Sequence, residues 1–596
     1  MASTLPRLPI FEAIKTHDGQ STAVVHSLSG RSFTYGELVN DVAAAKDKLQ
    51  RNTNGKSAHG ERIAFLVENG YDYVVTLLSI LAAHAIAVPL SPTFPAQELR
   101  YILDQSESLM LLSSEKFQSQ ADEVLKEGLE TKPINYKPEK IMTGKTDDHV
   151  SLEDPESDKG GMMLYTSGTT NRPKGVLLPQ DVLTAQSMSL LKAWEYSSKD
   201  ILLHVLPLHH IHGTVNALLT PLFAGSRIEF QFPFNATAVW ERLVAPFLPN
   251  PDPSKQPITF LTVVPTIYTC LIASHPTLSS ELQTATKTAL HPSNMRLNIS
   301  GSAALPTPVK SAWTELSGGN VLLERYGMTE VGMALSCGLD FHNRIDGSVG
   351  WPLPLVQARL VDTETGAVIL EGQEIDKETG RERQGEIQLR GPTIFREYWR
   401  NPTATLKEFT NDEDGRGKWF KTGDVAVRRP ITNTEVQDHQ NGRIDSQDWV
   451  RGPAYFIFGR RSADIIKTGG EKVSALEIER ELLSLPQVSE CAVVGLPSEA
   501  WGQKVAVVVV LSELGKTAGR KGGEWGALDM RRALKERLAN YKIPQELKTV
   551  ASIPRNAMGK INKKQLVIQI WGEPLEQNGR VDGQSNGAVV IPNGSV

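Results

Sequence analysis

Cysteine is nearly absent from this sequence. Among 596 residues there are three, Cys270, Cys337 and Cys491, widely separated and odd in number. That pattern argues against a disulfide framework or a cysteine-ligated zinc site and points to a reducing compartment. A charge excess is missing too: 63 Lys+Arg against 68 Asp+Glu leave a net charge of -5. This gives no reason to expect nucleic acid as a partner, although local basic patches could still meet small anions. No apolar run reaches membrane-spanning length, and there is no short-period repeat. The N-terminal stretch Met1-Ala2-Ser3-Thr4-Leu5-Pro6-Arg7 lacks the long apolar core of a secretory signal. Arg7 and Lys15 would suit a mitochondrial presequence, but Glu12, Asp18 and the prolines weaken it, so the expected compartment is cytoplasmic, with mitochondrial as the alternative. The C-terminal Pro592-Asn593-Gly594-Ser595-Val596 is not a peroxisomal Ser-Lys-Leu, and the Gly/Asn-rich tail, 573–596, is expected to be disordered.

What is present fits a globular enzyme, with 40% hydrophobic and 22% charged residues. The length exceeds what one core can fill, so several domains are expected. Buried strands alternate with helices: a helical pattern after Thr34-Tyr35-Gly36-Glu37-Leu38, a strand at 62–67, an apolar helix near 71–85, and further strands at 87–90, 202–207 and 259–265. This is the signature of an α/β layer with parallel strands. Polar stretches at 246–257, 371–384, 429–453 and 515–526 read as surface excursions. After Gly459 the texture shifts to a helix at 475–485, strands at 491–495 and 505–511 and a helix at 528–538, enough for a small α+β domain.

Between the apolar runs Met162-Met163-Leu164-Tyr165 and Val176-Leu177-Leu178 lies Thr166-Ser167-Gly168-Thr169-Thr170-Asn171-Arg172-Pro173-Lys174-Gly175. Hydroxyl side chains, glycines that admit close backbone approach, and two cations suit a polyphosphate. The Walker A spacing fails, because Pro173 stands where glycine is needed and Gly175 follows Lys174 in place of Ser or Thr. Further on, Tyr326-Gly327-Met328-Thr329-Glu330 reads as a loop leaving a strand end, where open α/β sheets bind ligands, and Glu330 and Thr329 suit magnesium and phosphate. Trp419-Phe420-Lys421-Thr422-Gly423-Asp424 sets an acid in a tight turn, able to accept both hydroxyls of a ribose. Gly459-Arg460-Arg461-Ser462-Ala463-Asp464-Ile465-Ile466-Lys467-Thr468-Gly469-Gly470 follows, and Pro554-Arg555-Asn556-Ala557-Met558-Gly559-Lys560-Ile561 presents one lysine.

These motifs, in this order and from about Phe33 to Lys564, resemble the acyl-activating (adenylate-forming) superfamily. The resemblance implies a large N-terminal domain of layered α/β sheets, 1–460, holding the ATP and acyl pockets, and a small mobile α+β C-terminal domain, 461–572. It implies that Thr166, Ser167, Gly168, Thr169, Thr170 and Lys174 wrap the β- and γ-phosphates of ATP. Tyr326 would lie against adenine, Thr329 would hold the α-phosphate, Glu330 would ligate Mg²⁺, and Asp424 and Arg461 would hold the ribose. Lys560 would bridge the carboxylate and α-phosphate during adenylation. After domain rotation Gly469 and Gly470 would approach the pantetheine arm of coenzyme A. Arg461 fits the family spacing to Thr468 where Arg460 is one residue too far, and the hinge falls on Ala463, with Asp464 beside it.

The acid pocket is the less uniform part. Leu206-Pro207-Leu208-His209-His210-Ile211-His212-Gly213 resembles the family segment that gates it, with His210 as the gating and catalytic histidine and Ser302 as a further substrate contact. The most informative departure is Arg325, where the family commonly has a small or neutral residue facing the acid. A guanidinium there needs either a protein acid such as Glu324 or a second carboxylate on the substrate. Arg296 is another possible carboxylate partner, but family strands often begin with arginine, so a structural role is preferred. With Gly347-Ser348-Val349-Gly350-Trp351-Pro352 the chain looks like the malonyl-CoA synthetase branch, acting on malonate and also methylmalonate. The alternatives are a medium-chain or aromatic acyl-CoA synthetase, a module loading a carrier protein, and a non-catalytic adenylate-binding protein.

Overall fold

The computed structural model describes residues 3–144, 149–154, 160–166, 173–411, 414–431, 447–461, 463–469, 471–555 and 561–572. The chain divides into two compact units, Met1–Ser462 and Ala463–Val596.

The first unit carries a 7-stranded, a 9-stranded and a 5-stranded sheet, with a small 2-stranded one besides. Within the 9-stranded sheet Leu323–Met328, Leu297–Ser300, Phe260–Val263, Ile201–His204, Arg227–Phe230 and Thr22–His26 run parallel in that spatial order. Every residue of Phe260–Val263 and Leu297–Ser300 is buried. Strands covered on both faces need apolar residues at nearly every position, which is why no strict alternation marks them. Arg296, just before Leu297, is committed to Asp200, with Nε–Oδ1 and Nη2–Oδ2 both 2.7 Å, so it has a structural role.

The 7-stranded sheet runs Glu397–Tyr398, Lys174–Pro179, Gly161–Thr166, Ile86–Pro89, Arg62–Leu66, Met110–Ser113 and Ile134–Tyr136. The helix Tyr35–Arg51, packed against Tyr71–Ala82, begins where Thr34 Oγ1 accepts from Glu37 N at 3.2 Å and Glu37 Oε2 accepts from Thr34 N at 2.7 Å. Such a reciprocal cap stabilises a helix start by about 1 kcal/mol. The apolar helix Tyr71–Ala82 ends three residues earlier than the hydrophobic pattern suggests, with His84 at φ 53 closing the turn into Ile86–Pro89.

Two motif placements differ from the sequence expectation. Tyr326, Gly327 and Met328 lie inside the strand Leu323–Met328, which turns back through Thr329 and Glu330 into Gly332–Ser336. A β-carbon on Gly327 would stand 2.1 Å from Gly332 O, so glycine lets the two strands close here. Likewise Asp424 is within the strand Phe420–Arg429, bent at Gly423 (φ 72), rather than in a free turn.

The second unit packs Val488–Ser498 against Gly502–Leu511, flanked by Ile465–Thr468, Glu471–Ser474 and the parallel Glu546–Thr549. Helices Ala475–Leu483 and Ala527–Leu534 supply Ile478, Leu482, Met530 and Leu534 to its core. Among the described residues no helix is long and apolar enough to cross a membrane. The 573–596 tail lies outside the described residues.

Candidate active site

The stretch beginning at Thr166 closes a hairpin. Gly161–Thr166 and Lys174–Pro179 pair antiparallel, with Thr166 directly opposite Lys174. Ser167, Gly168, Thr169 and Thr170, between them, lie outside the described residues. The Lys174 ammonium sits 4.6 Å from the ring centroid of Tyr398, a contact that contributes roughly 0.5–2 kcal/mol. Tyr398 is brought there by the edge strand Glu397–Tyr398, whose Tyr398 pairs with Val176. Its hydroxyl donates to Glu330 Oε1 at 2.8 Å. One aromatic residue thus joins the hairpin of Gly161–Thr166 and Lys174–Pro179 to the Tyr326–Glu330 turn, which Phe395 N also ties down by donating to Glu330 O at 2.8 Å.

Glu330 is buried, and burial raises its pKa against the pull of the Tyr398 hydroxyl, Arg460 and Lys174. A buried carboxylate held above its ordinary range is stabilised by a cation. No group of three or more His, Cys, Asp or Glu among the described residues could hold a metal ion. The single buried Glu330 carboxylate fits Mg²⁺ held by one protein carboxylate together with phosphates and water, the usual arrangement for this reluctantly dehydrated ion. Thr329, half-buried, precedes it in the same turn.

Tyr326 Oη donates to Asp424 Oδ2 at 2.5 Å, so the two residues expected at adenine and ribose are in contact. Across the sheet Asp424 pairs in register with Arg460, whose Nε is 3.4 Å from Asp424 Oδ1. Arg461 is exposed, and its backbone N–H donates to Gly423 O at 3.0 Å. The geometry brings Arg460, and not the Arg461 side chain, to the acid.

Arg325 precedes Tyr326 in the same strand, and successive side chains point to opposite faces of a sheet. Its guanidinium is 3% exposed and donates from Nη2 to Ser302 Oγ at 3.2 Å. Nε is buried without a partner. No described acid pairs with it, because Glu324 points the other way and binds Lys310 Nζ at 2.8 Å. Burial lowers the Arg325 pKa from its ordinary value to about 9, with Tyr196 pulling it back, so the side chain remains cationic at neutral pH. Leaving a buried donor unsatisfied costs about 1–3 kcal/mol, more for a charged group. Two local features seat this side chain. Gly301 has no β-carbon, which would stand 2.5 Å from Arg325 Cζ, and Ser302 takes φ 68, a left-handed backbone uncommon for a residue with a side chain.

His210 is half-buried, its ring 4.2 Å from that of His209. Two residues later His212 opens a π-helix, His212–Leu219, a wide turn that recurs at functional sites. His212 is buried, its Nε2 2.8 Å from Thr262 Oγ1, and its Nδ1 has no partner.

In the second unit Gly469 has φ 57 and its N–H donates to Trp501 O at 2.9 Å, while a β-carbon there would meet the Trp501 ring at 2.8 Å. Gly470 and Lys560 lie outside the described residues. Asp464 is held by Lys563 at 2.6 Å.

Residues 11–399 match the family described as AMP-binding enzyme, and residues 477–560 match the AMP-binding enzyme C-terminal domain. The chain belongs to the AMP-binding enzyme family. A relative named CoA ligase from Gibberella moniliformis is 58% identical over 596 residues, covering 96% of each chain. The mitochondrial malonate–CoA ligase ACSF3 of Homo sapiens is 38% identical over 555 residues, 90% of this chain and 88% of that one. Among solved structures, ATP-bound MatB from Rhodopseudomonas palustris superposes with a TM-score of 0.73 at 28% identity, covering 96% of this chain and 99% of that one. The α/β fold with a small C-terminal domain is therefore that of the AMP-binding enzymes.

Three features of this family member carry no signal in the motifs. Tyr398 comes from a two-residue edge strand, in a segment whose aromatic residues look like ordinary core. Gly301 matters through what it leaves empty. His212 stood inside a quoted motif, but only the partnering of its two nitrogens separates it from His210.

Proposed function

We propose that this chain is an ATP-dependent acid–CoA ligase whose preferred acid is malonate, with methylmalonate as a second substrate. The observation that carries the choice of acid is the buried, acid-free guanidinium of Arg325. A dicarboxylate would bring the missing anion, whereas a medium-chain or aromatic acid would leave the buried charge unpaired. The CoA ligase and malonate–CoA ligase relatives and the ATP-bound structural neighbour support the reading.

In the proposed chemistry one carboxylate oxygen of the acid attacks the α-phosphorus of ATP, the bond to the β-phosphate bridging oxygen breaks, and pyrophosphate leaves. The thiol sulfur of CoA then attacks the acyl carbon, AMP departs with the carbon–oxygen bond electrons, and the thiol proton is lost. Lys174, with the 166–173 loop, neutralises the leaving pyrophosphate, and Lys560 offsets charge developing between carboxylate and α-phosphate. Mg²⁺, when bound, neutralises phosphate oxygens and polarises the phosphoryl group. Glu330 is the protein carboxylate that would hold it, and Tyr398 orients that carboxylate. Tyr326 and Thr329 bound the adenine and α-phosphate sites, and Asp424, with Arg460, holds the ribose. Arg325 and Ser302 grip the distal carboxylate, and His210 gates the pocket. Between the two steps the 461–572 domain rotates about Ala463–Asp464, removing Lys560 and presenting Gly469 and Gly470 to the pantetheine arm. The compartment proposed is the cytoplasm; the second reading, the mitochondrion, is favoured by the name of the human relative.

The test is thioester formation with ATP, Mg²⁺ and CoA across mono- and dicarboxylic acids. The expected result is acid-dependent pyrophosphate release strongest with malonate. A preference for octanoate or benzoate would support the alternative acyl-CoA synthetase, and no acid-dependent pyrophosphate would support a non-catalytic adenylate-binding protein.

A further inference from the structure

Beneath Arg325 lies a chain of fully buried polar groups that the chemistry above does not use. Tyr196 Oη donates to Asn216 Oδ1 at 2.6 Å, and Asn216 Nδ2 donates to Thr262 Oγ1 at 3.0 Å. Thr262 Oγ1 is in turn 2.8 Å from His212 Nε2. Asn216 is 0%, Thr262 1% and His212 5% exposed. A threonine hydroxyl has one proton to give. Thr262 Oγ1 accepts from Asn216, and His212 Nε2 is the other partner of that hydroxyl, so the arrangement that uses its one proton has Thr262 donating to Nε2. The imidazole proton then sits on Nδ1, which has no partner.

The sheet register places this Nδ1–H near the acid pocket. Thr262 pairs with Ile299, and Ile299 with Leu323, so Thr262 and Leu323 share a face. Arg325, two residues on, returns to that face. The Arg325 charge reaches His212, where it adds to burial in holding the imidazole neutral, and it reaches Tyr196 at the other end of the chain. Two buried nitrogens, Arg325 Nε and His212 Nδ1, have no partner, and in this tautomer both are donors. One carboxylate has lone pairs enough for both.

We infer that His212 donates from Nδ1 to the distal carboxylate of the acid alongside Arg325, and that Thr262, held by Asn216 and Tyr196, is the positioning residue that fixes this tautomer. The inference rests on the dicarboxylate reading. It assigns the two histidines separate tasks, with His210 at the gate and His212 at the floor. It also explains why the π-helix starts at His212, since a wide first turn sets the imidazole against Thr262.

The experiment compares malonate with propionate, which replaces the distal carboxylate with a methyl group. Thr262→Val keeps the side-chain shape and removes the hydroxyl. It is expected to raise the malonate KM by about tenfold, the equivalent of one hydrogen bond, leaving kcat, the ATP KM and the propionate KM within about twofold. Thr262→Ser, which restores the hydroxyl, is expected to recover the malonate KM. His212→Leu should behave as Thr262→Val, and His212→Asn, whose amide nitrogen lies near the Nδ1 position, should lose less. Thr262→Val and His212→Leu with an unchanged malonate KM would overturn the inference and leave the Arg325 reading standing. Equal losses on propionate and ATP would also overturn it, by showing a merely structural role. A wild-type enzyme indifferent between malonate and propionate would remove the dicarboxylate reading, and this inference with it.

Discussion

The guanidinium of Arg325 occupies the space beside Gly301 that a β-carbon would take, with Cζ 2.5 Å from where that carbon would stand. Gly301→Ala therefore displaces the far end of a flexible side chain and leaves the backbone in place. The expected result is a malonate KM raised by roughly 10- to 100-fold, as for loss of a charge-assisted hydrogen bond of about 1.5–3 kcal/mol. Steady-state kinetics at saturating ATP checks this, with an unchanged ATP KM as the control.

Tyr398 couples Lys174 to Glu330, the two groups proposed to meet the phosphates and Mg²⁺, and Tyr398→Phe separates its roles. Phenylalanine keeps the ring beneath Lys174 but withdraws the hydroxyl that donates to Glu330. That hydroxyl lowers the Glu330 pKa, which burial already raises, so its loss raises the value further. The acidic limb of kcat against pH is expected to move to higher pH, and more Mg²⁺ should be needed for half-maximal rate. Tyr398→Leu, which also removes the ring, should in addition weaken ATP binding.

Buried neutral histidines make the first unit acid-sensitive. Burial lowers the pKa of His204 from 6.5 to about 4, and the same cause takes His209 to about 4. Between these folded values and the unfolded value near 6.5 the unfolded chain binds more protons, so stability rises with pH. The stability is full above about pH 6.5 and is lost as pH falls toward 4, by up to about 1.4 kcal/mol per pH unit for each histidine. Thermal inactivation followed from pH 7.5 to 4.5 is expected to accelerate through this window, and less steeply in a His204→Gln variant.

The sequence carried the phosphate hairpin well, because two apolar runs bounding a Gly/Thr/Lys stretch leave little choice of local structure, and Thr166 does stand opposite Lys174. Arg325 is legible only through the family resemblance, as a guanidinium where a small or neutral residue is common, and the structure buries it against Ser302. The Asp424 partner was harder to read. Counting back from Thr468 selects Arg461, whereas cross-strand register sets Arg460 opposite Asp424, and register is not visible along the chain. Tyr326 and Asp424 were assigned to loops because their glycine neighbours read as turns, yet Gly327 and Gly423 sit inside strands, admitting a close approach and a bend. Tyr398 and Thr262 escaped notice for another reason: each matters through partners far away in sequence, Glu330 at a separation of 68 and His212 at 50.

The central claim is that Arg325 selects a dicarboxylic acid, and the most direct measurement is the ratio of kcat/KM for malonate to that for a medium-chain fatty acid, in the wild type and in Arg325→Leu. The account predicts a ratio well above one in the wild type that collapses by at least about 100-fold in the variant, with the ATP KM unchanged. An Arg325→Leu enzyme with undiminished malonate selectivity would contradict it.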